Sequence, residues 1–126
     1  MNPETLLLRQ IHPSFVQNGR PTSQAFRPTP KDQDQLSVDD GDKIDAKASW
    51  ERFTGTLGFE SIGAMAVTYT ECSSQNLPVV ADGKPYPEHC FIDFSGVLKK
   101  VAEKKAKVLA SHAVQRGWLF EPTKQS

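Results

Sequence analysis

The sequence lacks the features that most directly assign a function class. No apolar run approaches the roughly 20 residues that a membrane span requires. Near the N-terminus, Glu4 stands where a signal peptide would carry positive charge. There are only two cysteines, Cys72 and Cys90, and they form no CxxC pair, which favours a reducing compartment over a disulfide framework. These absences predict a soluble, cytoplasmic protein without a membrane partner.

The chain also lacks an excess of charge of either sign. Its 15 Lys and Arg residues balance 15 Asp and Glu residues, so no global field draws the protein toward nucleic acid or an anionic membrane. A length of 126 residues with 37% hydrophobic residues is typical of one globular domain. We therefore expect residues 1–126 to form a single domain that recognises charged partners through local charge.

Short apolar runs alternate with turn-rich stretches along the chain. Apolar patterns predict strands at 6–11, at 35–38 (an edge strand), at 61–71 (a central strand) and at 90–94, and a last short strand or docked tail at 118–120. Helical spacing predicts helices over 46–54, with Asp45 as N-cap, and over 97–116, with Gly117 just past the end. This order predicts an α+β fold: a small mixed β-sheet with two helices packed on one face and a long ordered N-terminal loop.

The stretch HPSFVQNGRPTSQAFRP, residues 12–28, is dense in functional groups and in turn residues. Its prolines and its Asn-Gly pair predict turns instead of a regular element. Phe15, Val16 and Phe26 indicate that it is pinned to the core. A long loop in a compact domain is commonly functional. The alternative is an ordered loop whose Ser, Thr and Asn side chains satisfy their own backbone.

Cations gathered around this loop suit an anionic ligand, because arginine binds phosphate or carboxylate as a fork. The candidate ligand-binding residues are Arg9, Arg20 and Arg27. An enzyme acting on a nucleotide or another phosphorylated small molecule would need them in one pocket with acid–base groups. The candidate catalytic residues are Arg9, His12, Ser23, Glu88 and His89.

Two resemblances accompany these residues. An arginine at the end of a first strand, followed by Thr22-Ser23 before an apolar residue, resembles the start of ADP-ribosyltransferase NAD-binding folds. That resemblance implies a glutamate from a later strand, for which Glu71 and Glu88 are available. The segments HPSFVQNGRPTSQAFRPTPKDQDQLSV and PEHCFIDFSG together resemble a group of small bacterial proteins with no assigned activity. This second resemblance covers most of the chain and implies a compact bacterial domain.

The thiols and imidazoles have the right chemistry for a reactive site but not the spacing. His89 and Cys90 are consecutive in a predicted strand, so their side chains point to opposite faces and a structural Cys90 is favoured. A catalytic cysteine paired with His12 or His112 is the alternative. No pair of these side chains has the close spacing of a zinc site. We therefore predict no metal and no cofactor.

Two local charge clusters complete the pattern. The run DQDQLSVDDGDKID, residues 32–45, is interpreted as a solvated loop that leads into a helix cap. The run KKVAEKKAK, residues 99–107, is interpreted as a solvated helix face or as a nucleic-acid surface. Its candidate phosphate-binding residues are Lys99, Lys100, Lys104, Lys105 and Lys107. The apolar stripe predicted for the same helix includes Leu98, Val101 and Leu109.

Charge clusters of opposite sign orient a protein partner well. The leading hypothesis is therefore a small cytosolic bacterial protein-binding or accessory domain, such as one from a toxin–antitoxin or phage-defence locus. The alternatives are an enzyme acting on a nucleotide or phosphorylated small molecule, and a nucleic-acid binder.

Overall fold

The computed structural model describes residues 1–28 and 33–122. Its strands are β1 (Leu6–Gln10), β2 (Val16–Gln17), β3 (Arg20–Pro21), β4 (Gln35–Asp40), β5 (Ala64–Thr68), β6 (Val79–Val80) and β7 (His89–Asp93). Its α-helices are α1 (Ala46–Glu51), α2 (Tyr69–Ser73) and α3 (Lys99–Arg116).

Five strands form one sheet in the order β5-β1-β4-β7-β6, and β2 pairs with β3 in a separate ribbon. Every pair among these strands is antiparallel. The predicted α+β class is confirmed, but the sheet is antiparallel instead of mixed. Parallel neighbours need a crossover that returns the chain to the same end of the sheet. Here the connection through α1 brings β5 back beside β1 in the opposite direction.

One face of the sheet, the core face, carries the hydrophobic core. Leu7 lies opposite Val67, and Val38 lies opposite Cys90, so these four side chains share that face. They form one buried cluster with Leu109 and its neighbours on α3 and with the loop that contains Phe26. Helix α3 therefore packs on the core face.

Helix α1 lies on the other face, which we call the cleft face because a cleft opens there beside the helix. Leu8, Asp39 and His89 point there, since they alternate with core-face residues along their strands. Ser49 of α1 donates to Asp39 Oδ2 at 2.7 Å, and Gln10 Nε2 donates to Ser49 Oγ at 2.9 Å. The expectation of two helices on one face is thus wrong, because the polar side of α1 is matched by polar side chains on the sheet.

Two strand positions differ from the sequence prediction. Strand β4 was expected at an edge but lies between β1 and β7, because the alternating polar residues Ser37 and Asp39 point toward the cleft instead of bulk solvent. Strand β5 was expected to be central but ends the sheet. It stops at Thr68, which forms a capping box with Glu71 and begins α2.

The free edge of β5 is covered by the C-terminal segment. Phe120 forms an isolated antiparallel bridge with Ala64, which confirms the docked tail predicted at 118–120. Gly63 permits this docking, because a Cβ there would lie 2.5 Å from the Phe120 carbonyl oxygen. Arg116 also donates to the Ala66 carbonyl oxygen at 2.8 Å. Edge strands covered in this way are protected from pairing with other chains.

Helix α3 buries only part of the predicted apolar stripe. Its buried residues are Ala106, Leu109, Ala110 and Ala113, whereas Leu98 is 76% exposed and Val101 is 41% exposed. Gly117 has φ +87° and follows the last helical residue, as predicted. Small alanines let the middle and end of the helix approach the sheet closely, whereas Val97 and Ala102 at its start are only partly buried against the core.

The acidic run does not lie wholly in solvent. Asp45 caps α1 by accepting from the Ala48 N–H at 2.7 Å, which confirms the predicted helix cap. Asp39 and Asp40 are buried on β4, so the expectation of a solvated loop is wrong for them. Asp32 lies outside the described residues.

Glu71 connects α2 to the end of α3 and gives a test of this arrangement. Burial by itself raises the pKa of Glu71, but hydrogen bonds from Arg116 and the Thr68 N–H, with the charges of Arg116 and His112, lower it below the ordinary 4.5. The ionised form is therefore the one that the fold stabilises.

We expect Glu71→Gln to lower the free energy of unfolding by about 1–2 kcal/mol at pH 7, because it weakens a cap and an ion pair. A lowered pKa in the folded state contributes stability above the ordinary pKa, and this contribution is lost as the pH falls through the lowered value. Urea unfolding at pH 7 and pH 3 should therefore show a smaller difference between wild type and Glu71→Gln at pH 3. An unchanged difference would contradict the assignment.

Candidate functional site

A cleft of about 220 Å³ opens on the cleft face between the sheet, the end of α1 and the segment before β7. Its floor comes from the central strands and its walls are mostly apolar. The lining residues are Leu8, Arg9, Gln10, Ser37, Val38, Asp39, Ser49, Arg52, Phe53, Leu57, Phe59, Pro85, Tyr86 and His89. Concave, mostly apolar sites with a few polar groups are typical of binding sites.

Arg52 is the polar centre of this cleft. Its guanidinium donates to Asp39 Oδ2 at 2.7 Å and also pairs with Glu88. It lies 4.1 Å from the centroid of the Tyr86 ring, in cation–π contact. Only 16% of the Arg52 side chain is exposed. One cation therefore links β4, the end of α1 and the segment that precedes β7.

A π-helical turn, Arg52–Thr56, continues α1 into one wall of the cleft. Such turns are rare and occur frequently at functional sites. The turn is followed by Leu57 and Phe59, which are 39% and 57% exposed. The rings of Phe53 and Phe59 lie 5.2 Å apart. This wall thus presents an exposed apolar surface directly beside a charged floor.

His89 and Asp82 form a second polar pair at the cleft. His89 Nδ1 lies 2.7 Å from Asp82 Oδ1, an arrangement in which the carboxylate orients the ring. The β4–β7 register places His89 directly opposite Asp39. Three carboxylates, those of Asp39, Asp82 and Glu88, therefore gather around Arg52 and His89.

The thiol beneath this group is structural. Cys90 is buried on the core face with Ile92 and Phe94, as predicted. Burial, with the negative charges of Asp40, Asp82 and Asp39 outweighing Lys43, raises the pKa of Cys90 to about 11. Burial together with Glu71 raises the pKa of Cys72 to about 12. Neither thiol is poised as a thiolate nucleophile near neutral pH.

The structure brings some of the candidate catalytic residues together and separates others. Arg9 and His89 line the cleft, and Glu88 joins it through Arg52. His12 is exposed and caps its own turn by accepting from the Ser14 N–H at 3.0 Å. His12 borders an adjoining hollow. Ser23 lies in a short 3₁₀ turn and makes no side-chain hydrogen bond with another described residue.

The three candidate ligand-binding arginines do not share a pocket. Arg9 donates to the main-chain carbonyls of Ala25 and Ser37 at 2.9 Å each, so it ties the N-terminal loop to the sheet. Arg27 pairs with Glu103 at 3.2 Å. Arg20 is exposed on β3. Their charges are therefore spread over the molecule.

The candidate phosphate-binding lysines lie along the first half of α3. Four of them, Lys99, Lys100, Lys104 and Lys107, are exposed. Lys105 is only partly exposed and donates to the Gln75 carbonyl oxygen. One member of the group therefore holds α3 to the end of α2.

The two glutamates suggested by the ADP-ribosyltransferase resemblance are both engaged in ion pairs. Glu71 pairs with Arg116 at 2.9 Å on the β5 side of the sheet, and Glu88 pairs with Arg52 at the cleft. Within residues 1–28 and 33–122, no three His, Cys, Asp or Glu side chains are grouped so that they could hold a metal ion.

Sequence reasoning missed the residues that shape the cleft: Arg52, Phe53, Phe59 and Tyr86. Arg52 and Phe53 fall within the helix predicted over 46–54, and none of the four residues was a candidate site residue. A usable signal existed in the segment RFTGTLGFE, where two glycines and three large apolar residues follow a short helix. The partners of Arg52 lie 13 and 36 residues away, and local spacing does not reveal such pairs.

The comparisons with known proteins return nothing: the chain matches no protein-family model, no curated protein and no solved structure. In the described part of the chain, no helix has both the length and the apolar character to cross a bilayer.

Proposed function

We propose that this protein is a small binding module that accepts a segment of a protein partner in its cleft. The observation that carries the proposal is the exposed apolar wall formed by Leu57 and Phe59 beside a charged floor. Apolar surface rimmed by polar groups is typical of interaction sites, and aromatic residues and arginine are enriched in interfaces.

The size of the cleft supports a protein side chain as its occupant. Its volume of about 220 Å³ lies below the roughly 300–1,000 Å³ of pockets for drug-sized ligands. A single bulky apolar side chain fits such a space better than a whole nucleotide does. Two observations weigh against the alternative of an enzyme for phosphorylated compounds. The three candidate arginines do not share a pocket, and Arg52, which does line the cleft, is already paired with two carboxylates.

The proposed setting is the bacterial cytoplasm, with the partner encoded beside this protein as in a toxin–antitoxin or phage-defence locus. Both cysteines are free and buried, which suits a reducing compartment.

A phage-displayed library of random dodecapeptides tests the proposal. We expect wild-type protein to select peptides that share a bulky apolar residue, and Phe59→Ser to weaken their binding by about tenfold or more, since central apolar contacts dominate interfaces. The matched control is Leu98→Ser, which removes an even more exposed apolar side chain at the N-cap of α3. Peptides that respond to Leu98→Ser and not to Phe59→Ser, or no selected peptide at all, would contradict it.

A further inference from the structure

The charged groups around the cleft indicate which charge its occupant should carry. Asp39 and Glu88 share one guanidinium, that of Arg52, at side-chain exposures of 12% and 17%. Asp82 is the most exposed of the three carboxylates, at 29%, and its partner His89 is charged only when protonated. With His89 neutral, the three carboxylates still outnumber the two arginines at the cleft, Arg52 and Arg9.

This excess of negative charge lies beside the apolar wall, not in a separate region. Arg52 and Phe53 are consecutive, and Tyr86 stacks on Arg52 while it lines the same cleft. A chain segment that inserts an apolar side chain therefore carries its neighbouring residues past Asp82 and Glu88.

We infer that the partner segment carries a lysine or arginine within a few residues of its inserted apolar side chain, and that Asp82 and Glu88 recognise this cation. The inference rests on the proposed docking of a protein segment in the cleft. Charge complementarity of this kind fixes which segments bind and suppresses acidic competitors. A phosphorylated or acidic segment would instead meet like charge at the cleft floor.

The test uses peptides selected from the dodecapeptide library whose binding is weakened by Phe59→Ser. We expect them to be rich in Lys or Arg near the apolar residue. In synthetic copies, changing that Lys or Arg to Glu should weaken binding by about tenfold or more, and changing it to norleucine by about twofold to fivefold.

Substitutions in the protein complement these substitutions in the peptide. Asp82→Asn should weaken binding of the cationic peptide by about twofold to fivefold and leave the norleucine peptide unchanged. Glu103→Gln, which removes a carboxylate from α3 on the other face, should change neither. Phe59-dependent peptides that are neutral or acidic, or that ignore Asp82→Asn, would overturn this inference and leave the docking proposal intact. Absence of any Phe59-dependent peptide would overturn both.

Discussion

Replacing Arg52 with alanine should lower the free energy of unfolding by about 2–4 kcal/mol, because two largely buried carboxylates would lose their cation. The Asp39 and Arg52 side chains are only 12% and 16% exposed, so water replaces the lost pair poorly. Equilibrium urea unfolding at pH 7 measures the change. Lysine at this position should recover part of the loss, since it restores the charge but not the guanidinium bridge between Asp39 and Glu88 or the stacking on Tyr86.

A double-mutant cycle separates the ion pair from the general cost of each truncation. Arg52→Ala, Asp39→Ala and the double variant should give a coupling energy of about 1–3 kcal/mol between the two residues. The control is Arg27→Ala, which breaks a more exposed pair with Glu103 and should cost less than about 1 kcal/mol. Equal effects of Arg52→Ala and Arg27→Ala would contradict the central role of Arg52.

The second large effect concerns the N-terminal loop. Phe26 is fully buried in the hydrophobic core, so Phe26→Ala should lower the free energy of unfolding by about 3–5 kcal/mol. If that variant does not fold, Phe26→Leu should still fold at a cost of about 1.5 kcal/mol or less. Thermal and urea unfolding of both variants measure the effect.

Ser23 provides the contrast within the same loop. Its hydroxyl bonds to no other described side chain or backbone group, so Ser23→Ala should change the stability by less than about 0.5 kcal/mol. A loop in which Phe26 carries stability and Ser23 carries none is a scaffold. Similar losses from Ser23→Ala and Phe26→Ala would instead indicate that the polar groups of the loop are essential to the fold.

Most elements of this fold could be predicted from local sequence. The strand at 90–94, the cap at Asp45 and the helix stop at Gly117 each follow from patterns within one segment. The N-terminal loop was also predicted to be pinned by Phe15 and Phe26, and both pack in or against the core. The strand, the cap and the helix stop depend on residues close together in the chain, and large aromatic side chains indicate burial by their type alone. Sequence reasoning can therefore identify these features.

The order of the strands and the location of the cleft could not be predicted in this way. The polar residues of β4 resemble those of an exposed edge, because Ser37 and Asp39 alternate with buried Leu36 and Val38. Their partners on α1 and β7 become visible only when distant segments meet. His12 and Ser23 were selected as candidates because their segment is dense in functional groups. Arg52 was missed because its ion-pair partners lie 13 and 36 residues away in the sequence.

The chemistry of the cleft arises where segments that are distant in the sequence meet. A chain with balanced overall charge still holds a negative group of three carboxylates beside an aromatic wall. The segment between α1 and β5 contributes apolar side chains that the core does not use. A partner can recognise the exposed apolar side chains of this wall and the carboxylates that the fold brings together beside it.

The most direct test of the cleft as a docking site is a ¹H–¹⁵N NMR titration of the full chain with a library-selected cationic peptide. We predict that the largest shifts fall on the amides that line the cleft, namely Leu8, Ser37, Arg52, Phe53, Phe59, Tyr86 and His89. Shifts confined to the lysine face of α3, residues 99–107, with these amides unmoved, would contradict the assignment and favour the α3 surface instead.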